Sequence, residues 1–306
     1  MKKRAVKDVA ASVRQKLLSN AKSTNRPFQE VLQYFAMERF LYRLAQSPYA
    51  DKFVLKGALM FTVWGAPATR PTKDIDFLAR TKNTIAAVLP IIRDVCTQQV
   101  EPVGLAFDDT TVEGTLIKED ADYEGIRVTF LATLQNARVS MQLDLGYGDV
   151  VVPGPQVADY PVILEFPAPR LRAYSRETVV AEKFEAMVKL GQLNSRMKDF
   201  FDLWLLSRQF DFDGVTLATA IGKTFENRKT QIPTEALALT SAFADDPVKQ
   251  TQWKGFLRKV RLQNAPEDLH DVLDALRVFL QPVAASARDA IDFTRTWDAP
   301  GPWRAS

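Results

Sequence analysis

Two aspartates spaced two residues apart, Asp74 and Asp76, are the strongest candidates for chemistry in this sequence. The residues around them have the pattern of a β-strand, whose side chains alternate between the two faces of a sheet. Both carboxylates should therefore lie on one face, while Ile75 and Phe77 point into the core. Adjacent carboxylates offer the hard oxygen ligands that suit Mg²⁺ or Mn²⁺. A solvated acidic strand face without a cation is the alternative interpretation.

A glycine turn precedes this acidic strand. An apolar run at residues 53–55 is followed by Lys56-Gly57-Ala58 and then by a second apolar run at residues 59–64. This order predicts a strand, a tight turn and a short helix. A glycine in such a turn allows backbone amides to approach a phosphate group near the start of the helix.

These two motifs together resemble those of a known enzyme family. The sequence Lys56-Gly57-Ala58-Leu59, followed by Arg70-x-Thr72-x-Asp74-Ile75-Asp76, is similar to the first motif of the minimal nucleotidyltransferases of the DNA polymerase β type. More narrowly, it resembles the AbiEii/AbiGii group of bacterial toxins, which includes the MenT type toxins. This group usually has a second glycine or a serine where the present sequence has Ala58. The resemblance implies Asp74 and Asp76 as metal ligands, and it implies a nucleotide-binding role for Lys56, Gly57, Ala58, Arg70 and Thr72.

Composition sets the outer bounds. The 306 residues are 46% hydrophobic and 25% charged, which is typical of a globular protein with one large or two ordinary domains. The net charge of +3, from 40 basic and 37 acidic residues, is too balanced to indicate RNA binding by bulk charge. Cys96 is the single cysteine, so an intrachain disulfide and a cysteine zinc site are excluded. His270 is the single histidine and lies far from the other motifs, which argues against most zinc chemistry and against a Ser-His-Asp or Cys-His mechanism within one chain. No apolar run approaches the ~18 residues of a membrane span, so we expect a cytoplasmic protein without membrane association.

Hydrophobic periodicity predicts helices first and then a sheet. Helices are expected at residues 6–20 and 27–45, packed against the sheet, and at residues 83–98, with Asn83 as the N-cap and Cys96 in the core. The pattern then changes to period two. This change predicts antiparallel strands at residues 104–107, 111–118, 125–133 and 138–145.

The last of these strands carries a third carboxylate. Alternation places Val139, Met141, Leu143 and Leu145 on one face and Asp144 on the other. In the polymerase β type fold a third acid comes from a strand next to the acidic pair, and the resemblance assigns Asp144 to that role as a ligand, a base or both. Three acids would hold two divalent cations ~3.5–4 Å apart for an in-line displacement at phosphorus. An exposed strand acid without a function is the alternative.

A proline-rich segment at residues 153–169 marks the expected domain boundary. We therefore predict an α/β (α+β) protein with a nucleotidyltransferase domain at residues 1–168, made of N-terminal helices and a polymerase β-like mixed sheet. A further strand is expected at residues 162–165. Residues 169–306 are expected to form a helical bundle that completes the nucleotide cleft. Its later helices are predicted at residues 215–227, 234–243, 246–260 and 266–285, with Trp297 and Trp303 capping the core or contacting a partner.

Charged residues in this second half form another candidate group. A helix from Ser175 to Gly191 places Lys183 on its apolar face, where a lysine either extends to solvent or meets an anion. In the next predicted helix, Arg196, Asp199 and Asp202 lie one turn apart on one side. The resemblance to the AbiEii group implies that Lys183 contacts the triphosphate, that Asp199 orients the triphosphate or the base, and that Arg196, Lys198 and Asp202 assist in nucleotide binding. A local ladder of ion pairs is the alternative.

Basic residues of the C-terminal helices suit either a surface that binds an RNA backbone or an ordinary solvated helical face. They are Lys223, Arg228, Lys229, Lys254, Arg258, Lys259 and Arg261.

The resemblance implies a metal-dependent nucleotidyltransferase that transfers a nucleoside monophosphate from a nucleoside triphosphate to an acceptor. By similarity to the AbiEii and MenT toxins, the acceptor is expected to be the 3′ end of tRNA, so that modification blocks aminoacylation and growth, and a cognate antitoxin is expected. Two alternatives remain open at this point. One is a small-molecule nucleotidyltransferase with a narrower acceptor pocket, and the other is a non-catalytic nucleotide-binding module, which the alanine at position 58 favours.

Overall fold

The computed structural model describes residues 8–66, 71–120, 123–260 and 265–305. The α-helices are α1 (Val9–Ser23), α2 (Phe28–Gln46), α3 (Leu59–Val63), α4 (Ile85–Thr97), α5 (Arg176–Leu190), α6 (Met197–Gln209), α7 (Gly214–Asn227), α8 (Ser241–Asp245), α9 (Pro247–Val260) and α10 (Leu269–Asp289). The β-strands are β1 (Phe53–Lys56), β2 (Asp74–Ala79), β3 (Leu105–Asp120), β4 (Tyr123–Leu134), β5 (Ala137–Gly146), β6 (Gln156–Asp159), β7 (Arg170–Ala173), β8 (Phe212–Asp213), β9 (Arg295–Trp297) and β10 (Trp303–Ala305).

A mixed sheet in the order β3-β4-β5-β2-β1-β7-β6 organises the first half of the chain. Strands β3, β4 and β5 form an antiparallel meander, as the period-two pattern predicts. Strand β2 lies parallel to β5 and antiparallel to β1, and β1 lies parallel to β7. The prediction of two separate strands at 104–107 and 111–118 was wrong. They are one strand, β3, in which the pairing with β4 shifts register between Asp108 and Glu113.

The predicted N-terminal helical pair is confirmed. Helices α1 and α2 pack together, and α2 packs on β5 and β7. Asp8 caps α1 by accepting a hydrogen bond from the amide of Ala10 at 3.1 Å. The predicted N-cap of α4 was one residue off, because the hydroxyl of Thr84, rather than the Asn83 side chain, accepts the hydrogen bond from the Ala87 amide.

Cys96 is buried in the core, as predicted, and burial raises the pKa of its thiol to about 12. Since the thiolate is the reactive form, we expect no reaction with a thiol reagent such as dithionitrobenzoate in the native protein at neutral pH. One thiol per chain should react once the protein is unfolded in guanidinium, because the sequence contains one cysteine. Rapid labelling of the native protein would contradict this expectation.

The proline-rich segment does not contain the strand predicted at residues 162–165. Side chains of α2 instead form hydrogen bonds with backbone groups of this segment. The Glu38 carboxylate accepts a hydrogen bond from the Ile163 amide at 2.7 Å, and the Arg39 guanidinium donates one to the Pro167 carbonyl at 2.8 Å. With these groups satisfied by side chains, the segment does not need a strand partner. The strands of this region are β6, which lies within the segment, and β7, which follows it directly.

The C-terminal half is mainly helical. Helix α10 packs on α6 and α7, and α5 packs on α6 and α7. The helix predicted at residues 234–243 was wrong, because Thr240 interrupts it. Leu237–Leu239 forms a single 3₁₀ turn, and the hydroxyl of Thr240 then accepts a hydrogen bond from the Phe243 amide and starts α8.

Trp297 and Trp303, on β9 and β10, are buried, so they belong to the core of the C-terminal half. The indole of Trp297 donates to the Ser207 carbonyl at 2.7 Å, and the indole of Trp303 donates to the Phe279 carbonyl at 2.8 Å. Both polar groups are therefore satisfied inside the core.

The chain divides into two compact units. The first comprises residues up to Gly65, Thr72–Gly148 and Gln156–Ala173, and the second is built mainly from Asp149–Pro155 and the chain from Tyr174 onward. None of the helices in the described ranges has the length and apolar composition that crossing a membrane requires.

Candidate active site

The first unit brings three carboxylates together at its central strands. In the parallel pair β2 and β5, Asp76 lies directly beside Asp144 in register. Alternation along β2 places Asp74 on the same face as Asp76, while Ile75 and Phe77 are buried on the opposite face. One ligand oxygen from each of the three acids lies within 4.8 Å of the other two. The sheet therefore concentrates negative charge at one point.

A glycine makes room for this cluster. Gly57 follows β1 with a φ of +75°, a conformation that glycine adopts without strain. A Cβ atom at this position would lie 1.8 Å from Oδ2 of Asp76. Lys56, one residue earlier, pairs in register with Asp76 across the antiparallel strands. Residue 57 must therefore be a glycine for both conformational and steric reasons, as the turn prediction required.

Thr72 supports the first member of the acidic pair, Asp74. Its hydroxyl donates a hydrogen bond to Oδ1 of Asp74, and its amide donates to the Tyr34 hydroxyl at 3.1 Å. The threonine of the predicted nucleotide-binding set thus contacts a carboxylate of the cluster. Arg70, from the same set, lies outside the described residues. Ala58 is buried at the start of α3, a helix of five residues.

An arginine that the sequence analysis did not identify holds the third carboxylate. Nε and Nη2 of Arg127 donate to Oδ1 and Oδ2 of Asp144 at 2.8 and 2.7 Å. This hydrogen bonding, together with the charges of Asp144, Asp74 and Asp76, raises the pKa of Arg127 against the opposing effect of partial burial. Gln142 also donates to Asp144, at 3.2 and 3.3 Å.

The contact between Arg127 and Asp144 was implicit in the hairpin. A two-residue turn at residues 135–136 pairs Leu134 with Ala137. Seven residues farther from the turn on each strand, the same register pairs Arg127 with Asp144. Residues that lie directly opposite each other in an antiparallel pair share a face of the sheet. The turn was recognised in the sequence, but its register was not followed to the third acid.

The donor set fits a divalent cation. Three carboxylates within 4.8 Å supply hard oxygen ligands and a charge of −3 before Arg127 is counted. Because Gly57 has no Cβ, the Asp76 carboxylate can pack directly against the turn and keep its position in the cluster. Asp74, Asp76 and Asp144 are accordingly the residues that would hold such an ion.

The second unit contains a compact charged group on α5 and α6. The Lys183 ammonium lies 2.6 Å from Oδ1 of Asp199 and 2.8 Å from Oδ2 of Asp202. Arg196 Nε lies 2.8 Å from Oδ2 of Asp199. Lys183 therefore meets anions within its own unit rather than extending to solvent, and the predicted alignment of Arg196, Asp199 and Asp202 on one side of the helix is confirmed. Lys198 is exposed.

The electrostatics of Asp199 follow from this arrangement. Burial alone would raise its pKa, but the charges of Lys183 and Arg196 outweigh burial, so that the pKa lies below the usual value of 3.8. Asp199 is therefore an anion at neutral pH. A buried carboxylate with two basic partners is strongly coupled to the stability of the fold.

We expect Asp199→Asn to destabilise the protein by about 2–4 kcal/mol at pH 7, because Lys183 then loses a charged partner. The pKa of Asp199 is lower in the folded protein than in the unfolded chain, so the carboxylate stabilises the fold above about pH 4 and loses this effect as the pH falls. The difference between variant and parent should therefore shrink in acid. Urea unfolding at pH 7, 5 and 3 measures it.

Asp274→Asn is the matched control for this experiment. Asp274 pairs with Arg277 on the surface of α10, with 67% of its side chain exposed. An exposed pair of this kind contributes little, so its removal should leave the free energy of unfolding nearly unchanged. A destabilisation by Asp199→Asn that stays constant from pH 7 to pH 3 would contradict the assigned pKa direction.

A second buried charge cluster fixes the N-terminal part of this unit. Arg228 lies 2.9 Å from carboxylate oxygens of both Asp149 and Glu185 and 3.6 Å from one of Glu182. Burial would lower the pKa of Arg228, but these carboxylates raise it above its ordinary value. The suggestion that Arg228 belongs to a basic RNA-binding surface was therefore wrong. Its role is to hold α5, which carries Lys183 next to Glu182.

Comparison with known proteins supports a family assignment. A model of the family described as nucleotidyl transferase AbiEii toxin, type IV toxin–antitoxin system, matches residues 39–278. Among solved structures, the chain is similar to the crystal structure of JHP933 from Helicobacter pylori, with 17% identity and a TM-score of 0.44 over 86% of this chain and 93% of that chain. A protein from H. pylori proposed to be a nucleotidyltransferase gives 17% identity and a TM-score of 0.43 over 86% and 96%. No curated protein matches the chain.

The family match extends from α2 to α10 and includes the three carboxylates as well as Lys183 and its partners. It therefore covers well over half of the chain, including the motifs on which the resemblance in the sequence was based. The chain belongs to the nucleotidyl transferase AbiEii toxin family of type IV toxin–antitoxin systems, and it is a nucleotidyltransferase.

Proposed function

We propose that this protein transfers a nucleoside monophosphate from a nucleoside triphosphate to the 3′ end of tRNA, with divalent cations bound by Asp74, Asp76 and Asp144. The observation that carries the proposal is the convergence of these three carboxylates within 4.8 Å on adjacent strands. The membership of the chain in a nucleotidyltransferase family supplies the reaction class.

The reaction is a substitution at the α-phosphorus. The acceptor hydroxyl oxygen forms a bond to this phosphorus while the bond to the β-phosphate bridging oxygen breaks, and pyrophosphate and the hydroxyl proton are released. When bound, Mg²⁺ or Mn²⁺ supplies Lewis-acid stabilisation of the attacking and leaving oxygens. Asp74, held by Thr72, and Asp76, beside Gly57, provide fixed ligands for this purpose.

The remaining residues of the first unit have a proposed role in holding the triphosphate. Lys56, Gly57 and Ala58 lead from β1 into α3, and the positive φ of Gly57 suits a tight turn whose backbone amides a phosphate can approach. We also include Arg70 and Thr72 among the proposed nucleotide-binding residues, because they belong to the sequence motif that resembles that of the family.

In the second unit we propose that Lys183 binds the triphosphate and that Asp199 orients this lysine. Asp199 is buried and forms ion pairs with both Lys183 and Arg196, so it holds two basic side chains in position. Asp202 provides a second anchor for Lys183 at 2.8 Å. Arg196 and the exposed Lys198 add positive charge suited to a polyanionic ligand.

The first test is an incorporation assay. Purified protein is incubated with total tRNA, Mg²⁺ or Mn²⁺ and each α-labelled nucleoside triphosphate in turn. Periodate-oxidised tRNA, which has no 3′-terminal diol, serves as the acceptor control. We expect label on intact tRNA and none on oxidised tRNA, together with loss of aminoacylation of the labelled product.

The outcomes separate the parts of the proposal. Label on both intact and oxidised tRNA would overturn the 3′ end as the site of attachment. Label on a small molecule or on protein, with none on RNA, would overturn the proposal that tRNA is the acceptor and leave the proposed transferase reaction standing.

The toxin–antitoxin family also leads us to propose a cognate antitoxin as a partner. Relief of growth arrest by coexpression of a neighbouring gene would test this part.

A further inference from the structure

Arg127 is a basic group of the first unit that contacts the acid cluster directly. It lies on β4 opposite Asp144 on β5, as one cross-strand pair of the antiparallel ladder. Its two nitrogens and the two carboxylate oxygens form a bidentate contact of 2.8 and 2.7 Å. This is the strongest geometry that an arginine and a carboxylate can adopt.

The contact occupies both oxygens of Asp144. Each oxygen accepts one hydrogen bond from Arg127, and the side-chain amide of Gln142 approaches both at 3.2 and 3.3 Å. Asp144 is also the most buried of the three acids, with 9% of its side chain exposed. The two oxygens of a carboxylate offer about four lone-pair sites, and these contacts leave few of them for a metal ion.

Asp74 has a different environment. The partner found for its carboxylate is the neutral hydroxyl of Thr72, which leaves its negative charge uncompensated by that contact. The Arg127 side chain is 40% exposed, so it can leave Asp144 without first unfolding the sheet. The environments of these two acids thus differ, because Asp144 is paired to a positively charged arginine and Asp74 contacts a neutral hydroxyl.

We propose that Arg127 competes with a divalent cation for Asp144, and so sets the affinity of the cluster for its second metal ion. Before that ion binds, Arg127 occupies both oxygens of Asp144. The second ion binds as the guanidinium withdraws. This inference rests on the proposed function only in taking the three carboxylates as the metal site.

The test is Mn²⁺ binding measured by calorimetry and by electron paramagnetic resonance on the full chain, without nucleotide or RNA. The parent protein should show one stronger and one weaker site. We expect Arg127→Gln to tighten the weaker site by about tenfold, a typical size for coupling between ligands that exclude each other. Arg127→Lys keeps the charge but loses the bidentate contact, so it should give an intermediate value.

Two controls distinguish competition at Asp144 from a general change in charge. Arg138→Gln removes the same charge from an exposed position on the same strand as Asp144, about 20 Å away along β5. It should leave Mn²⁺ binding unchanged. In an Asp144→Asn background the weaker site should be lost, and Arg127→Gln should then have no further effect. Thermal unfolding of each variant establishes that it is folded.

The outcomes are separable. Equal Mn²⁺ binding by the parent and Arg127→Gln would overturn the inference and leave the metal site intact. An equal tightening with and without Asp144 would also overturn it, because the effect would then be general electrostatics. Failure of the parent and of Arg127→Gln to bind any Mn²⁺ would overturn the proposed metal site itself.

Discussion

Replacing Asp76 with asparagine will reduce nucleotidyl transfer by about a thousandfold or more, while the protein remains folded. Asp76 is a direct neighbour of both other acids. It shares a strand face with Asp74, and it lies in register with Asp144 on the adjacent strand. Loss of its charge removes a shared cation ligand, and metal stabilisation of a transition state is worth several kcal/mol. Initial rates of label incorporation into tRNA measure the effect.

Asp159→Asn is the matched control. It makes the same chemical change at an exposed acid on β6, at the edge of the same sheet. This variant should keep the parent rate. Thermal unfolding establishes that Asp76→Asn is folded. Transfer by Asp76→Asn within tenfold of the parent rate would argue against the acid cluster as the active site.

Gly57→Ala will impair both the fold around the turn and activity. The new Cβ would lie 1.8 Å from Oδ2 of Asp76, so either the turn or the carboxylate must move. The backbone φ of +75° adds strain of about 1–2 kcal/mol for any residue with a side chain. We expect a destabilisation of about 2–4 kcal/mol and a loss of transfer at least a hundredfold. Urea unfolding and incorporation rates measure the two effects.

Gly65→Ala isolates the steric part of this result. Gly65 has a φ of +70°, and an added Cβ would meet nothing within 4 Å. The two variants thus share the backbone strain and differ in the collision with Asp76. Gly65→Ala should lose only about 1–2 kcal/mol of stability and retain transfer. Similar losses of activity in both variants would show that strain, rather than the position of Asp76, explains the need for glycine.

The parts of the site that depend on local sequence could be predicted. Alternation along a strand needs only the sequence of that strand, so the shared face of Asp74 and Asp76 and the outward position of Asp144 followed directly. The glycine turn was likewise recognisable, because a positive φ selects glycine. The start of α5 at Ser175 was predictable because serine is favoured at helix N-caps, and the Ser175 hydroxyl accepts from the Thr178 amide at 3.2 Å.

The parts that depend on pairing over long distances could not be predicted in this way. Arg127 was missed because its contact appears only when the register of β4 against β5 is followed to Asp144. The burial of Arg228 depends on carboxylates from separate segments, and no local pattern distinguishes it from a surface arginine. The strand expected at residues 162–165 failed for a related reason, since Glu38 and Arg39 supply the partners of that backbone.

The order of strands in the sheet also determines when the enzyme can first become active during its synthesis. Asp74 and Asp144 are 70 residues apart in the chain, and their strands become neighbours only through the parallel pairing of β2 with β5. At bacterial elongation rates, Asp144 leaves the ribosome roughly 4–14 s after Asp74. Pairing of distant strands is slow as well. Chains that are still attached to the ribosome before Gly146 emerges, or that are truncated there, therefore have no assembled acid cluster.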